Sequence, residues 1–435
     1  MQRTVRHLSM LGMVFGVLGC APKPADPKPP QRASKTHPAR LPAQWMPPSV
    51  SLREDPTTVS FSARRGLILV EAFVDGRDEP LSLAVDTGAS LGTLSQAVVD
   101  ELGLTTTRPQ PVQTVTSSIR LPAARVPPMR IGGLEIERRW VYVTDEVETQ
   151  ETCDGPYRFD GVLGADVLWQ LITVIDSRAS RIHFGKLAAP MRRGEQRIPV
   201  RPHADLVFLA TIGLGGKDTT VLLDTGSAGA ITVSSAQLPS LTTPPNTTTY
   251  PFRGVLMSDA SGPIEGGVLF QVPVVLGSAE ARWVDGLALP AEHHITNLGY
   301  GFLREYHVTI DGPSAELRLL PRTDLDRERR PTAGFNFTRE ADHSVVGVVV
   351  DGSAVARAGV EPGDRVVELA GVRLEDVDFA EGCALQERLR EQKLLRVVFE
   401  HEGAELEVSL IPTPRSFATS GLDDSDAATP RPGQR

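Results

Sequence analysis

Two aspartates in matching tripeptides are the residues best suited to chemistry. Asp86-Thr87-Gly88-Ala89 and Asp224-Thr225-Gly226-Ser227 lie far apart in a chain of 435 residues. Each follows an apolar run, Leu81 to Val85 and Thr220 to Leu223. Two carboxylates brought within hydrogen-bonding reach cannot both ionise easily, so they share one proton. One then serves as base and the other as acid. A water between them can lose a proton to the base as it attacks an amide carbonyl, while the acid protonates the carbonyl oxygen. This chemistry needs no covalent enzyme intermediate and no metal, so no cofactor is expected. Gly88 and Gly226 let backbone amides approach the carboxyls.

The elements that would position these aspartates recur as an internal repeat. Leu69 to Val74 turns at Asp75-Gly76 and returns through Leu81 to Val85 into Asp86. Leu206 to Ile212 turns at Gly213 to Gly216 and returns through Thr220 to Leu223 into Asp224. Downstream, Gly164 to Asp176 aligns without a gap on Gly299 to Asp311, and each tail leads into a further strand, Arg181 to Phe184 and Glu316 to Leu319. Short valine, leucine and isoleucine runs between glycine, proline and aspartate turns make the body mostly β. Convincing helices are few: Ser95 to Leu104, with Ala97, Val98 and Leu102 on one face, and Ala384 to Gln392.

Two units, each with an apolar pair before Asp-Thr-Gly-Ala/Ser and a downstream apolar-apolar-Gly, resemble the pepsin and retropepsin superfamily of aspartic peptidases over roughly Val59 to Pro321. The resemblance implies a mainly β, bilobal acid-protease fold of tandem duplicated lobes, with Asp86 and Asp224 as the catalytic pair. It implies that Thr87 and Thr225 reach across to the opposite lobe. It also makes Ala89, Ser227, Gly164 and Gly299 supports of the two loops. Val162-Leu163-Gly164 fits the buttress; Asn297-Leu298-Gly299 departs from it, and a polar residue there must be hydrogen-bonded if buried. The family's flap, a hairpin over the substrate, is expected in the second lobe at Gly254 to Gly267, because Thr105 to Arg130 carries no comparable glycine content.

From Gly334 to Ile411 the pattern changes. Val345 to Val360, followed by Pro362-Gly363-Asp364 and an alternating strand to Gly371, resembles bacterial PDZ domains, small β-sandwiches or barrels with one or two helices. The resemblance implies that Gly334-Phe335-Asn336-Phe337 receives a terminal carboxylate and that Ala384 to Gln392 walls a groove. A C-terminal peptide would then bind by strand addition. A groove that is closed, or that only packs on the rest of the chain, has the same sequence.

The ends read differently. Arg3 and Arg6 precede an apolar stretch, Leu8 to Leu18, too short to span a bilayer, and Leu18-Gly19-Cys20 resembles the lipobox of bacterial lipoproteins. Cys20 is therefore the expected lipidation site, and Ala21 after it favours the outer membrane, facing the periplasm. The expected organisation is a signal at 1–20, a proline-rich tether at 21–50, lobes at 51–190 and 191–325, the PDZ-like module at 330–412 and a disordered tail at 413–435. Cys153 and Cys383 can pair but need not. With 45 Lys and Arg against 54 Asp and Glu, and no basic run, nucleic acid is not an expected partner. No His-Glu-x-x-His helix is present, His293-His294 reads as solvated loop, and Gly213 to Gly216 precedes a strand rather than a phosphate-binding helix.

Two functions stay open on sequence. One is a monomeric, lipid-anchored aspartic endopeptidase acting on protein or peptide substrates, with the PDZ-like module recruiting substrate or gating access. The other is an inactive peptidase-shaped scaffold that binds peptides.

Overall fold

The computed structural model describes residues 47–414, apart from 65, 115–116, 145–147, 153–154, 188–189, 203–206, 242–248, 260–261, 278, 280, 291–295, 324–330, 333, 341–342, 378–380, 382–384, 386–393 and 412. Cys20, Cys153, Cys383, His293, His294 and all of Ala384 to Gln392 but Leu385 therefore lie outside the described residues. The described chain is mainly β. Among the described residues no helix is long and apolar enough to cross a membrane.

Each half is built on a hairpin that ends at its aspartate. Leu67–Val74 pairs with Leu81–Val85 and Phe208–Leu214 with Lys217–Asp224, both antiparallel. The second turn is tighter than the glycine run indicates: Gly213 and Leu214 still pair, and only Gly215 and Gly216 turn, at φ +60° and +78°. Two consecutive positive φ values suit glycine and match strand twist. In each half a short strand then inserts parallel to the hairpin's return strand. Gly161–Leu163 lies beside Leu83 to Val85, and Asn297–Gly299 beside Leu222 to Asp224.

The tails join the halves. Ile172–Asp176 pairs antiparallel with Tyr306–Asp311, and Arg181–Gly185 and Glu316–Pro321 flank them. The outer edges are taken by Thr57–Ser60 and Gln196–Pro202, which completes one antiparallel sheet under both lobes. Buried apolar side chains from these strands, Ile175, Ile182, Val308 and Leu317 among them, belong to a single core that runs through both halves. Trp169 of the first stacks on Phe208 of the second, ring centroids 4.0 Å apart.

The first helix, Gln96–Glu101, is capped by Ser95 Oγ, which accepts from Val98 N–H. It buries Val98 and Val99, whereas Ala97 is exposed, so the inward face is one residue round from the one that the apolar spacing predicts. A hairpin also forms where low glycine content argues against one: Gln110–Gln113 pairs with Ser118–Leu121. Its turn is closed instead by Thr114, whose Oγ1 accepts from Ser117 N–H at 2.9 Å.

The C-terminal module has its own core around Val346, Val349, Val366, Val397 and Phe399. Thr413–Pro414 pairs with Pro331–Thr332, so the first residues assigned to the tail close the module instead.

Candidate active site

Asp86 and Asp224 end equivalent strands and meet across the lobe boundary. Asp86 is part-exposed, and Asp224 is 3% exposed. Gly88 N–H donates to Asp86 Oδ1 at 2.7 Å and Gly226 N–H to Asp224 Oδ1 at 3.1 Å. The closeness of the two loops is measured by these glycines. A Cβ on Gly88 would stand 2.7 Å from Asp224 Oδ1, and one on Gly226 would stand 2.4 Å from Asp86 Oδ2. Only hydrogen fits at either position.

Thr87 and Thr225, both fully buried, tie the loops reciprocally. Thr87 N–H donates to Thr225 Oγ1 at 3.0 Å, and Thr225 N–H donates to Thr87 Oγ1 at 3.1 Å. Each hydroxyl then donates onward to the other lobe's backbone, Thr87 to Leu223 C=O at 2.6 Å and Thr225 to Val85 C=O at 2.7 Å. Thr87→Val would orphan the buried Thr225 N–H and Leu223 C=O. The expected loss in urea unfolding is about 3 kcal/mol, with Thr87→Ser close to wild type.

The buttresses are equally symmetric. Gly164 and Gly299 open short helices, Ala165–Leu168 and Tyr300–Leu303, whose first N–H groups bond to Ala89 C=O at 2.8 Å and Ser227 C=O at 2.7 Å. A Cβ on Gly164 would lie 2.6 Å from the Leu91 carbonyl carbon, and one on Gly299 would lie 2.2 Å from Gly229 O.

Two residues behind the first loop belong to no motif legible in the sequence. Arg139 and Asp166, 2% and 1% exposed, form an ion pair at 3.2 Å under the buttress. Burial pushes the Asp166 carboxyl up while the Arg139 charge pulls it down. The one local signal is an aspartate inside the apolar run Val162 to Leu168.

Asn297 is 2% exposed and donates from Nδ2 to Asp224 Oδ2 at 2.8 Å. The departure from the family pattern thus ends on the carboxyl itself. At the far module, Gly334 takes φ +77° and Phe335–Glu340 forms a strand with His343–Val350. The Phe335 ring meets Phe399 edge-on at 5.2 Å, and Asn336 Oδ1 is buried without a partner among the described residues.

Burial pushes both dyad carboxyls above the ordinary carboxylate range, and Asp224 further, because the charge of Asp86 adds to its burial. Such a pair titrates as a unit holding one proton. A carboxyl raised in the folded state binds its proton more tightly there than when unfolded. Its contribution to stability is therefore present below the unfolded value, near pH 4, and is lost as pH rises through the folded one. Asp224→Asn removes that burden. Its melting temperature is expected to exceed the wild type's at pH 7 and to match it near pH 4; a lower value at pH 7 would contradict a neutralised Asp224.

Facing, backbone-bonded carboxyls on reciprocal threonine-locked loops define an aspartic-peptidase type of site. Residues 70–167, which carry Asp86 and Gly164, match the family model of aspartyl proteases. No curated protein matches the chain.

Proposed function

We propose that the protein is an aspartic endopeptidase hydrolysing peptide bonds in extended protein segments, with a PDZ-like C-terminal module that reads a peptide and gates access. The observation that carries it is the pair Asp86 and Asp224, each lodged against the glycine of the other's loop. The ionised member accepts a proton from water as that water's oxygen bonds to the carbonyl carbon. The protonated member donates to the carbonyl oxygen. Collapse of the resulting diol breaks the C–N bond: the member now ionised takes a proton from a diol hydroxyl, which becomes the carbonyl of the new acid, while the other gives its proton to the leaving nitrogen. An extended segment suits this geometry, since its amide must reach both carboxyls at once.

Support for gating comes from sheet continuity. The long lobe-two hairpin, Thr249–Asp259 with Gly262–Val275, follows its aspartate loop in the order seen for the short hairpin of lobe one. We take it as a flap. Its first strand also pairs with His343–Val350 of the module, Phe252 opposite Val350 and Gly254 opposite Val348. Phe252, Ile264, Leu287 and Val348 share one apolar cluster. Among the described residues Phe335–Glu340 pairs with His343–Val350 alone, so a peptide added to its other edge would lie in one sheet with the flap. The reading includes a lipid anchor at Cys20 on the outer membrane, periplasmic side, and a monomer, both lobes being on one chain.

The test is cleavage of an unstructured protein between pH 3 and 7. Cut products that vanish with a dyad substitution support the peptidase. Peptide binding by the module with no cleavage at any pH would leave the scaffold instead.

A further inference from the structure

The lobes differ at one position against the dyad. Asn297 stands beside Leu222 and opposite Thr232, as Val162 stands beside Ala84 and opposite Thr93. Both sites are buried, and the one in lobe one is filled by an apolar side chain, as burial favours. Asn297 instead places an amide there. Its Nδ2 donates to Asp224 Oδ2 at 2.8 Å, while its Oδ1 is buried with no partner among the described residues. An asparagine kept to brace the backbone would satisfy backbone groups. This one directs its bond to a carboxyl and leaves its other end unmade, which costs the fold stability.

We propose that Asn297 is a positioning residue for the dyad: its amide holds Asp224 Oδ2 as an acceptor, favours the ionised carboxyl and thereby sets the pH at which the shared proton leaves. The groups bearing on Asp224 are few. Gly226 and Ser227 offer backbone N–H groups, Asn297 offers a neutral amide, and Asp86 is the charged group facing it. Burial and the Asp86 charge drive Asp224 towards its neutral form, and loss of the proton that the pair shares ends activity on the alkaline side. Asn297 opposes that drive. The activity readout rests on the hydrolytic reading; the ionisation does not.

The experiment compares full-length wild type with Asn297→Val, the lobe-one residue, and with Asn297→Ala in case valine crowds the site. In kcat/KM against pH, the alkaline limb is expected to move up by about one to two pH units, the worth of a hydrogen bond to a charged group. The acid limb and KM should stay near wild type, which a merely structural role would not produce. Alkaline limbs that coincide would overturn the proposal. Carbon-13 NMR titration of the Asp224 carboxyl decides the same question without turnover: a higher midpoint in the variants supports the proposal, and an unchanged midpoint overturns it. A wild type that cleaves nothing yet shows the shift would remove the peptidase reading and leave this one standing.

Discussion

Asp86→Asn and Asp224→Asn are each expected to lower kcat/KM on an unstructured protein substrate by about 10³-fold, with folding intact. An amide can neither take the proton of the attacking water nor give one to the carbonyl oxygen in the dyad's place. Because the carboxyls act as a unit, the double substitution should cost little more than either single one. The loops should survive, since Gly88 N–H and Gly226 N–H can donate to an amide oxygen as they do to Oδ1. Either variant retaining activity within about tenfold of wild type, at matched pH and with contaminating protease excluded, would remove the dyad from the mechanism.

Gly254→Val is expected to release the flap strand from the C-terminal module and to raise KM on the order of tenfold, with kcat nearly unchanged. Gly254 lies at φ +93°, which a β-branched residue resists, and a Cβ there would stand 2.0 Å from Gly347 O. The joint cannot absorb that contact without parting strands. Two thermal transitions should then replace one, as the module loses the cluster it shares with Phe252 and Ile264. Arg253→Ala serves as the contrast. Arg253 pairs with Asp351 and Glu361 across the same joint, but all three are well exposed, so KM should change less than about twofold. An unaltered KM and a single transition in Gly254→Val would sink the gating reading.

Much of this architecture is written in local pattern. Apolar runs ending at Asp86 and Asp224, and tails that align from Gly164 and Gly299, are legible because hairpins and strand ends follow from near neighbours in sequence. The inward face of Gln96–Glu101 is less so. A six-residue helix has no long periodicity to read, and Val99 turns inward because the sheet lies on that side. The lobe-one hairpin is hidden for a related reason: Thr114 closes its turn with a side chain, a bond that glycine content does not register.

Residue order alone determined that two like units each present an aspartate on a glycine-bearing turn, since strand period and turn chemistry act over a few residues. Only the tertiary structure decided what surrounds those aspartates. Asn297 against Asp224, Arg139 under the first buttress and the flap strand on the module all join residues distant in the chain. Burial and direction at such contacts come from packing, which no local spacing encodes.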